Sequence, residues 1–359
     1  MDSTPLVSVV TPFYNTEAFL AECIESVLTQ THENWEYVLV DNCSTDGSVA
    51  IAERYASRCP KKIRLVRTSE FLPQLANYNF ALSQVSASSK YCKMVQADDW
   101  IYPACLERMV DVAEKDASVG IVSSYRLLGD RLAGDRLDYN QTIISGREIC
   151  RLQLSDSRCF YFGSPTAVLY RSEIVRSTAR FFDESALHAD TNACYRTLQT
   201  WNFGFVHDVL SFSRVGNENS VTMAVRSFGW RELGVMVHMY KFGQVYLAPE
   251  EFASRLRVLQ KQYYRFLARK LLSGESSKPF WDYHVAGLRS VGQELDKGLL
   301  ARYCCGEVVR LVANPGSTVE ILFDRLRKNG AGEGAATAGA ISLLGACLLQ
   351  CLILTKDVM

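Results

Sequence analysis

Apolar and β-branched residues come in short blocks along the first part of the chain, separated by stretches in which apolar positions recur every three or four residues. Leu6-Val-Ser-Val-Val-Thr-Pro12 is a β-branched run stopped by proline, the pattern of a buried strand. Phe19, Leu20, Cys23, Ile24, Val27 and Leu28 then predict a helix, with Asn15 or Thr16 as its cap. Tyr37-Val-Leu-Val predicts a second strand ending at Asp41, and Ser44-Thr45-Asp46-Gly47 turns the chain into a helix carrying Ile51, Ala52, Tyr55 and Ala56. Ile63-Arg-Leu-Val is a third strand, followed by a helix from about Pro73 to Val85. A fourth apolar run begins at Tyr91 and leads into Asp98-Asp99-Trp-Ile-Tyr-Pro103. Strands alternating with helical patterns predict an α/β fold with a mostly parallel sheet flanked by helices. In such a sheet Asp41, Asp98 and Asp99 share the carboxyl edge, where open α/β sheets bind ligands.

Beyond this region a helix from Met109 to about Asp116 and a strand at Val119-Gly-Ile-Val-Ser-Ser are expected. The pattern then loosens, with a turn into a strand at Gly163 to Arg171 and a helix through Ala193, Cys194, Leu198 and Trp201. A strand follows from Phe203 to Arg214. After Thr222 long helical periodicities take over, about Phe228 to Lys241 and Glu250 to Leu272, with a further helix at about Val319 to Lys328. Ala335 to Thr355 holds 21 residues without a charge, near the roughly 20 that a membrane-spanning helix requires. Arg325, Arg327 and Lys328 precede it, so an anchored chain would face the cytoplasm. The same small-residue string could instead bury itself against other helices.

Composition narrows the field. Lys+Arg and Asp+Glu both number 39 in 359 residues, so no global field draws the chain to nucleic acid. Its 12 cysteines show no CxxC pair and no apolar leader precedes them, which reads as a reducing, cytoplasmic setting with free thiols. No Cys/His cluster suggests zinc. Two adjacent carboxylates repel each other, and a divalent cation carrying a diphosphate would relieve that repulsion. Helix capping after Pro103 is the plain alternative for Asp98 and Asp99.

The blocks Val-Ser-Val-Val-Thr-Pro12-Phe-Tyr14-Asn15, Ser26 to Thr31, Val40-Asp41 to Gly47, Asn79 to Leu82 and Ala97-Asp98-Asp99 with Pro103 resemble the inverting, metal-dependent family 2 glycosyltransferases. The likeness covers roughly residues 5 to 222. It implies a GT-A fold, a Rossmann-like and mostly parallel sheet, with a helical C-terminal extension. The implied organisation is a nucleotide-sugar-binding half at 1–120, an acceptor and catalytic-base half at 121–222, a helical region at 223–330 and an apolar tail at 331–359, a candidate membrane anchor.

The resemblance also implies roles. Pro12 and Tyr14 would line the floor under the nucleotide base, and Asp41 would accept from the imide N–H of uracil or thymine. Asp98 would hold the ribose hydroxyls, and Asp99 would bind Mg²⁺ or Mn²⁺. Asp190 would be the general base, and Arg214 would face the leaving diphosphate. The bland readings of these residues are a surface aromatic for Tyr14, a strand-end turn for Asp41 and a helix cap for Asp190.

The chain departs from the family at Gln96, where an acid is usual, at Ala189 and Asn192, and at Gly216 in place of a frequent histidine. The Gln-x-x-Arg-Trp of processive synthases is absent, which favours single addition. The implied reaction moves one sugar from a nucleoside-diphosphate sugar, uridine-linked by preference, to a saccharide or lipid-linked glycan, as in cell-surface polysaccharide synthesis. A nucleotidyltransferase would want a Gly-rich phosphate loop after the first strand, which Pro-Phe-Tyr-Asn is not. A catalytically degenerate nucleotide- or sugar-binding module is the other alternative.

Overall fold

A computed structural model describes residues 4–156, 161–216 and 227–313. The chain divides into two compact units, the first running to Ala224 and including Val245–Leu247, the second made of the remaining C-terminal residues.

The first unit alternates as its hydrophobic pattern predicts: β1 (Val7–Phe13), α1 (Leu20–Leu28), β2 (Trp35–Asp41), α2 (Ser48–Arg58), β3 (Ile63–Arg67), α3 (Gln74–Ser83) and β4 (Tyr91–Met94). There follow β5 (Trp100–Ile101), α4 (Cys105–Glu114), β6 (Val119–Leu128), β7 (Arg131–Ala133), β8 (Ile143–Ile144) and α5 (Gly146–Ser155). A 3₁₀ turn at Pro165–Ala167, β9 (Leu169–Arg171), α6 (Ser172–Arg176), α7 (Ala189–Thr197) and β10 (Asn202–Ser213) complete it.

Among the described residues the sheet runs β3-β2-β1-β4-β9-β6-β10-β5, with β7 on β6 and β8 on β10. Every residue of β1 is buried, as a central strand covered on both faces must be. α1 turns Leu20, Cys23, Ile24 and Val27 inward, the three-and-four spacing read from the sequence. β1 pairs in parallel with β2 and β4, and β6 with β10, so the main strands deliver their carboxyl ends to one edge.

The structure departs from the expected pattern locally. β9 lies antiparallel between β4 and β6, and β5 lies antiparallel on β10, which hydrophobic runs alone do not reveal because strand direction is a property of the connections. The fourth strand stops at Met94, so Val95 to Ala97 carry the chain to the acids as a turn. Asp98 and Asp99 do not cap a helix, since α4 starts at Cys105 with Ala104 at its N-cap. Nor do Asn15 or Thr16 sit at the cap of α1, which is Phe19. Asn15 takes a left-handed φ of 50°, and its side-chain oxygen accepts from the Thr45 N–H at 2.8 Å. The short polar side chain that could cap a helix ties two edge loops together instead.

The second unit contains all but the last two residues of helix Trp230–Tyr246, and helices Pro249–Leu272, Lys278–Arg289 and Lys297–Ala313. The expected helix at 319–328 and the apolar stretch at 335–355 fall outside the described residues. Among the described residues no helix is long and apolar enough to cross a membrane.

Candidate active site

Asp99 is the most constrained residue of the carboxyl edge. It is 5% exposed, and its Oδ2 accepts from the Thr166 hydroxyl at 2.7 Å and the Ser213 hydroxyl at 3.3 Å. Its Oδ1 accepts from the Arg214 backbone N–H at 2.9 Å. Two segments distant in sequence, at Thr166 and at Ser213-Arg214, therefore converge on one carboxylate. Burial, and next the charge of Asp98, push its pKa up to about 7 against the lowering effect of these hydrogen bonds. That strain is electrostatic, and a divalent cation would relieve it. Asp98 beside it is half-buried. Gln96, which replaces the usual acid, donates through Nε2 to the Tyr78 hydroxyl at 2.9 Å, and its backbone N–H donates to Thr166 Oγ1 at 3.1 Å.

Arg214 follows β10 directly and folds back over this turn. Its Nε donates to the Asp98 carbonyl at 3.0 Å and its Nη2 to Glu22 at 2.7 Å. The guanidinium lies 4.6 Å from the Phe19 ring centroid and 5.4 Å from that of Trp100. Trp100 stacks in turn on Phe212, with centroids 3.6 Å apart. Arg214 is thus a cation fixed beside both acids, held by a partner, Glu22, that the motif does not name.

The other predicted residues occupy the same edge. Pro12 is buried in β1 beyond Val10↔Met94, the last β1–β4 register pair, where its missing N–H leaves no gap in that ladder. Tyr14 leaves the strand end 43% exposed. Asp41, the last residue of β2, is 4% exposed, and its Oδ1 accepts from the Ser44 N–H at 3.0 Å. The strand-end turn and a ligand role coexist in that geometry, because one oxygen makes the turn.

Asp190 lies in the first turn of α7, whose N-cap is His188 at a left-handed φ of 55°. Its Oδ1 accepts from the Thr191 N–H at 2.8 Å. Arg126 on β6, which the sequence reading passed over, faces Asp190 electrostatically. Burial pushes the Arg126 pKa down to about 10, and the Asp190 charge acts in the opposite direction. Arg126 is two residues before Leu128, which pairs with Ser213, so the base candidate is linked through β6 to the strand that also holds Asp99. The available signal was an arginine between Tyr125 and Leu127-Leu128 at the end of the β6 run. Among the described residues no group of three His, Cys, Asp or Glu side chains is gathered to hold a metal. Two hard carboxylates fit a Mg²⁺- or Mn²⁺-type ion that takes its remaining ligands from phosphates.

A family model described as glycosyl transferase family 2 matches residues 8–177, a segment that holds Asp41, Asp98, Asp99 and Thr166 and stops short of Asp190. Residues 8–177 thus form a glycosyl transferase family 2 domain. EpsE of Bacillus subtilis is 38% identical over 130 residues, which are 36% of this chain and 46% of EpsE. The chain thus spans about half the length of curated relatives such as this one.

Among solved structures, S. aureus TarS 1–349 in complex with UDP is similar at a TM-score of 0.57 and 18% identity, over 82% of each chain. A mannosyltransferase from Pyrobaculum calidifontis, in complex with GDP-Man and Mn²⁺, reaches a TM-score of 0.57 at 17% identity, over 98% of this chain and 88% of its own. At that identity both show the GT-A fold. The family 2 domain accounts for the mostly parallel sheet and the acids at its carboxyl edge, and it leaves donor, acceptor and ion open.

Proposed function

We propose that this family 2 glycosyltransferase moves one sugar, with inversion, from a nucleoside-diphosphate sugar to a hydroxyl of a saccharide or lipid-linked glycan in cell-surface polysaccharide synthesis. The observation that carries the reading is the convergence of Thr166, Ser213 and the Arg214 backbone N–H on Asp99, which fixes that carboxylate at the ligand-binding edge with the Arg214 guanidinium bound to the Asp98 carbonyl beside it. The donor's base would lie on Pro12 and Tyr14, with Asp41 accepting from its imide N–H, which favours uridine. Asp98 would take the ribose hydroxyls. Asp99 is the residue that would hold Mg²⁺ or Mn²⁺, and such an ion supplies Lewis-acid neutralisation of the leaving diphosphate. The S. aureus and Pyrobaculum structures carry UDP and GDP-Man with Mn²⁺ respectively, which supports a nucleotide donor without choosing the base.

In the reaction the acceptor oxygen forms a bond to the anomeric carbon as the bond to the β-phosphate oxygen breaks. Asp190 takes the acceptor's proton, and the electron pair of the broken bond leaves with the nucleoside diphosphate. The Thr191 N–H donates to one oxygen of Asp190, which orients the carboxylate. Arg214 would stabilise the departing diphosphate after exchanging Glu22 for phosphate oxygens.

A thermal-shift panel of uridine, guanosine, thymidine, cytidine and adenosine diphosphates, with and without Mn²⁺, tests the donor site. The expected result is a Mn²⁺-dependent, uridine-selective rise in melting temperature that Asp99→Asn removes. No shift with any nucleotide would move the reading to a degenerate module.

A further inference from the structure

The loop after β3 holds an aromatic that no motif marks. Phe71 is 57% exposed beside Tyr14 at 43%, with ring centroids 4.8 Å apart and planes at 64°. Their placement follows from Asn42, the residue after Asp41. The Asn42 backbone N–H donates to the Phe13 carbonyl at 2.9 Å, one residue before Tyr14. Its side chain meanwhile donates through Nδ2 to the Leu72 carbonyl at 2.8 Å and accepts at Oδ1 from the Leu72 N–H at 2.9 Å, one residue after Phe71.

Thr68 adds to the clamp. Its N–H donates to the Asp41 carbonyl at 3.0 Å, and its hydroxyl donates to Asn42 Oδ1 at 3.3 Å. Asn42 is only 2% exposed, so its bonds are shielded from competing water. One buried amide therefore sets both rings against each other at the end of β2.

We propose that Phe71 is the second wall of the donor's base subsite and that Asn42 is the positioning residue that holds it beside Tyr14. The inference rests on the nucleotide-sugar reading above. Two rings at a steep angle form a corner, in which a flat base lies on one ring while the other covers its edge. Stacking of this kind accepts any base, because every base has a π face. The corner supplies affinity, and choice of base is left to the hydrogen-bonding Asp41.

Calorimetric titration of the full chain with UDP and Mn²⁺, and separately with inorganic pyrophosphate and Mn²⁺, tests the proposal. Phe71→Ala is expected to weaken UDP binding by roughly 5- to 150-fold, the range for loss of one base–aromatic stack. Pyrophosphate binding should not change, and Phe71→Trp should restore UDP binding. Asn42→Asp, which keeps one acceptor and loses the donor to Leu72, should weaken UDP binding in the same selective way. Unchanged UDP affinity in Phe71→Ala, or equal losses for UDP and pyrophosphate, would overturn the proposal and leave the nucleotide reading intact. Wild-type protein that binds no nucleoside diphosphate would overturn both.

Discussion

At the scale of single residues, the site separates holding a charge from using one. Asp99 spends both oxygens on Thr166, Ser213 and Arg214, whereas Asp190 is half-buried with one oxygen fixed by the next backbone N–H. Removing the negative charge at Asp190 while keeping its shape therefore isolates the proton-transfer role. Asp190→Asn is expected to lower kcat by about 10²- to 10⁴-fold, the usual contribution of a general base, with UDP affinity unchanged. Steady-state transfer assays paired with UDP titration check this, and wild-type kcat in the variant would remove Asp190 from the mechanism. The motif residues other than Asp190, which opens a helix, were legible because each ends a strand or follows one. Phe71, Asn42 and Arg126 were not, because their roles come from neighbours brought up by other elements.

At the scale of elements, α5 shows how closely the sheet's flanking pieces are fitted. A Cβ on Gly146, the first residue of that helix, would lie 2.1 Å from the Trp201 carbonyl oxygen and 2.2 Å from that of Leu198, both backbone atoms. Backbone cannot swing aside as a side chain can. Gly146→Ala is expected to destabilise by about 3 kcal/mol or more, at or beyond the usual upper range for overpacking. Gly306 supplies the contrast: it is an exposed helical glycine whose added Cβ meets nothing within 4 Å. Gly306→Ala should stabilise by about 0.5–1 kcal/mol through helix propensity alone. Denaturant melts of the two variants decide it, and similar midpoints for both would contradict the packing argument. The sequence reading named neither of these helices, and hydrophobic periodicity carries no information about which glycine abuts another element's backbone.

At the scale of the whole molecule, the balance of 39 basic and 39 acidic residues leaves pH sensitivity to individual buried groups. His284, in the second unit, is fully buried, and burial holds its pKa down at about 4. Its Nε2–H donates to the Phe228 carbonyl at 2.8 Å, while Nδ1 accepts from the Tyr263 hydroxyl at 2.8 Å, a pairing that suits the neutral ring. The unfolded chain binds this proton near pH 6.5 and the folded chain only near pH 4. The associated stability is thus complete above about 6.5 and is lost as the pH falls toward 4, for a total of about 3 kcal/mol. Denaturation of the second unit should steepen with acid over that window, and His284→Gln should flatten the dependence. An unchanged slope in the variant would rule His284 out as its source.

The chain's own order of residues determined the alternation of strands and helices, the family and the acids at one edge, because hydrophobic period and strand-end position are local properties. Tertiary structure alone decided that β9 runs antiparallel inside the sheet, that Asp99 is gripped by Thr166 and Ser213, and that Asn42 sets Phe71 beside Tyr14. Those facts depend on which distant segments meet, and a carboxylate, an amide or an aromatic ring acquires its chemistry only from the neighbours that folding supplies.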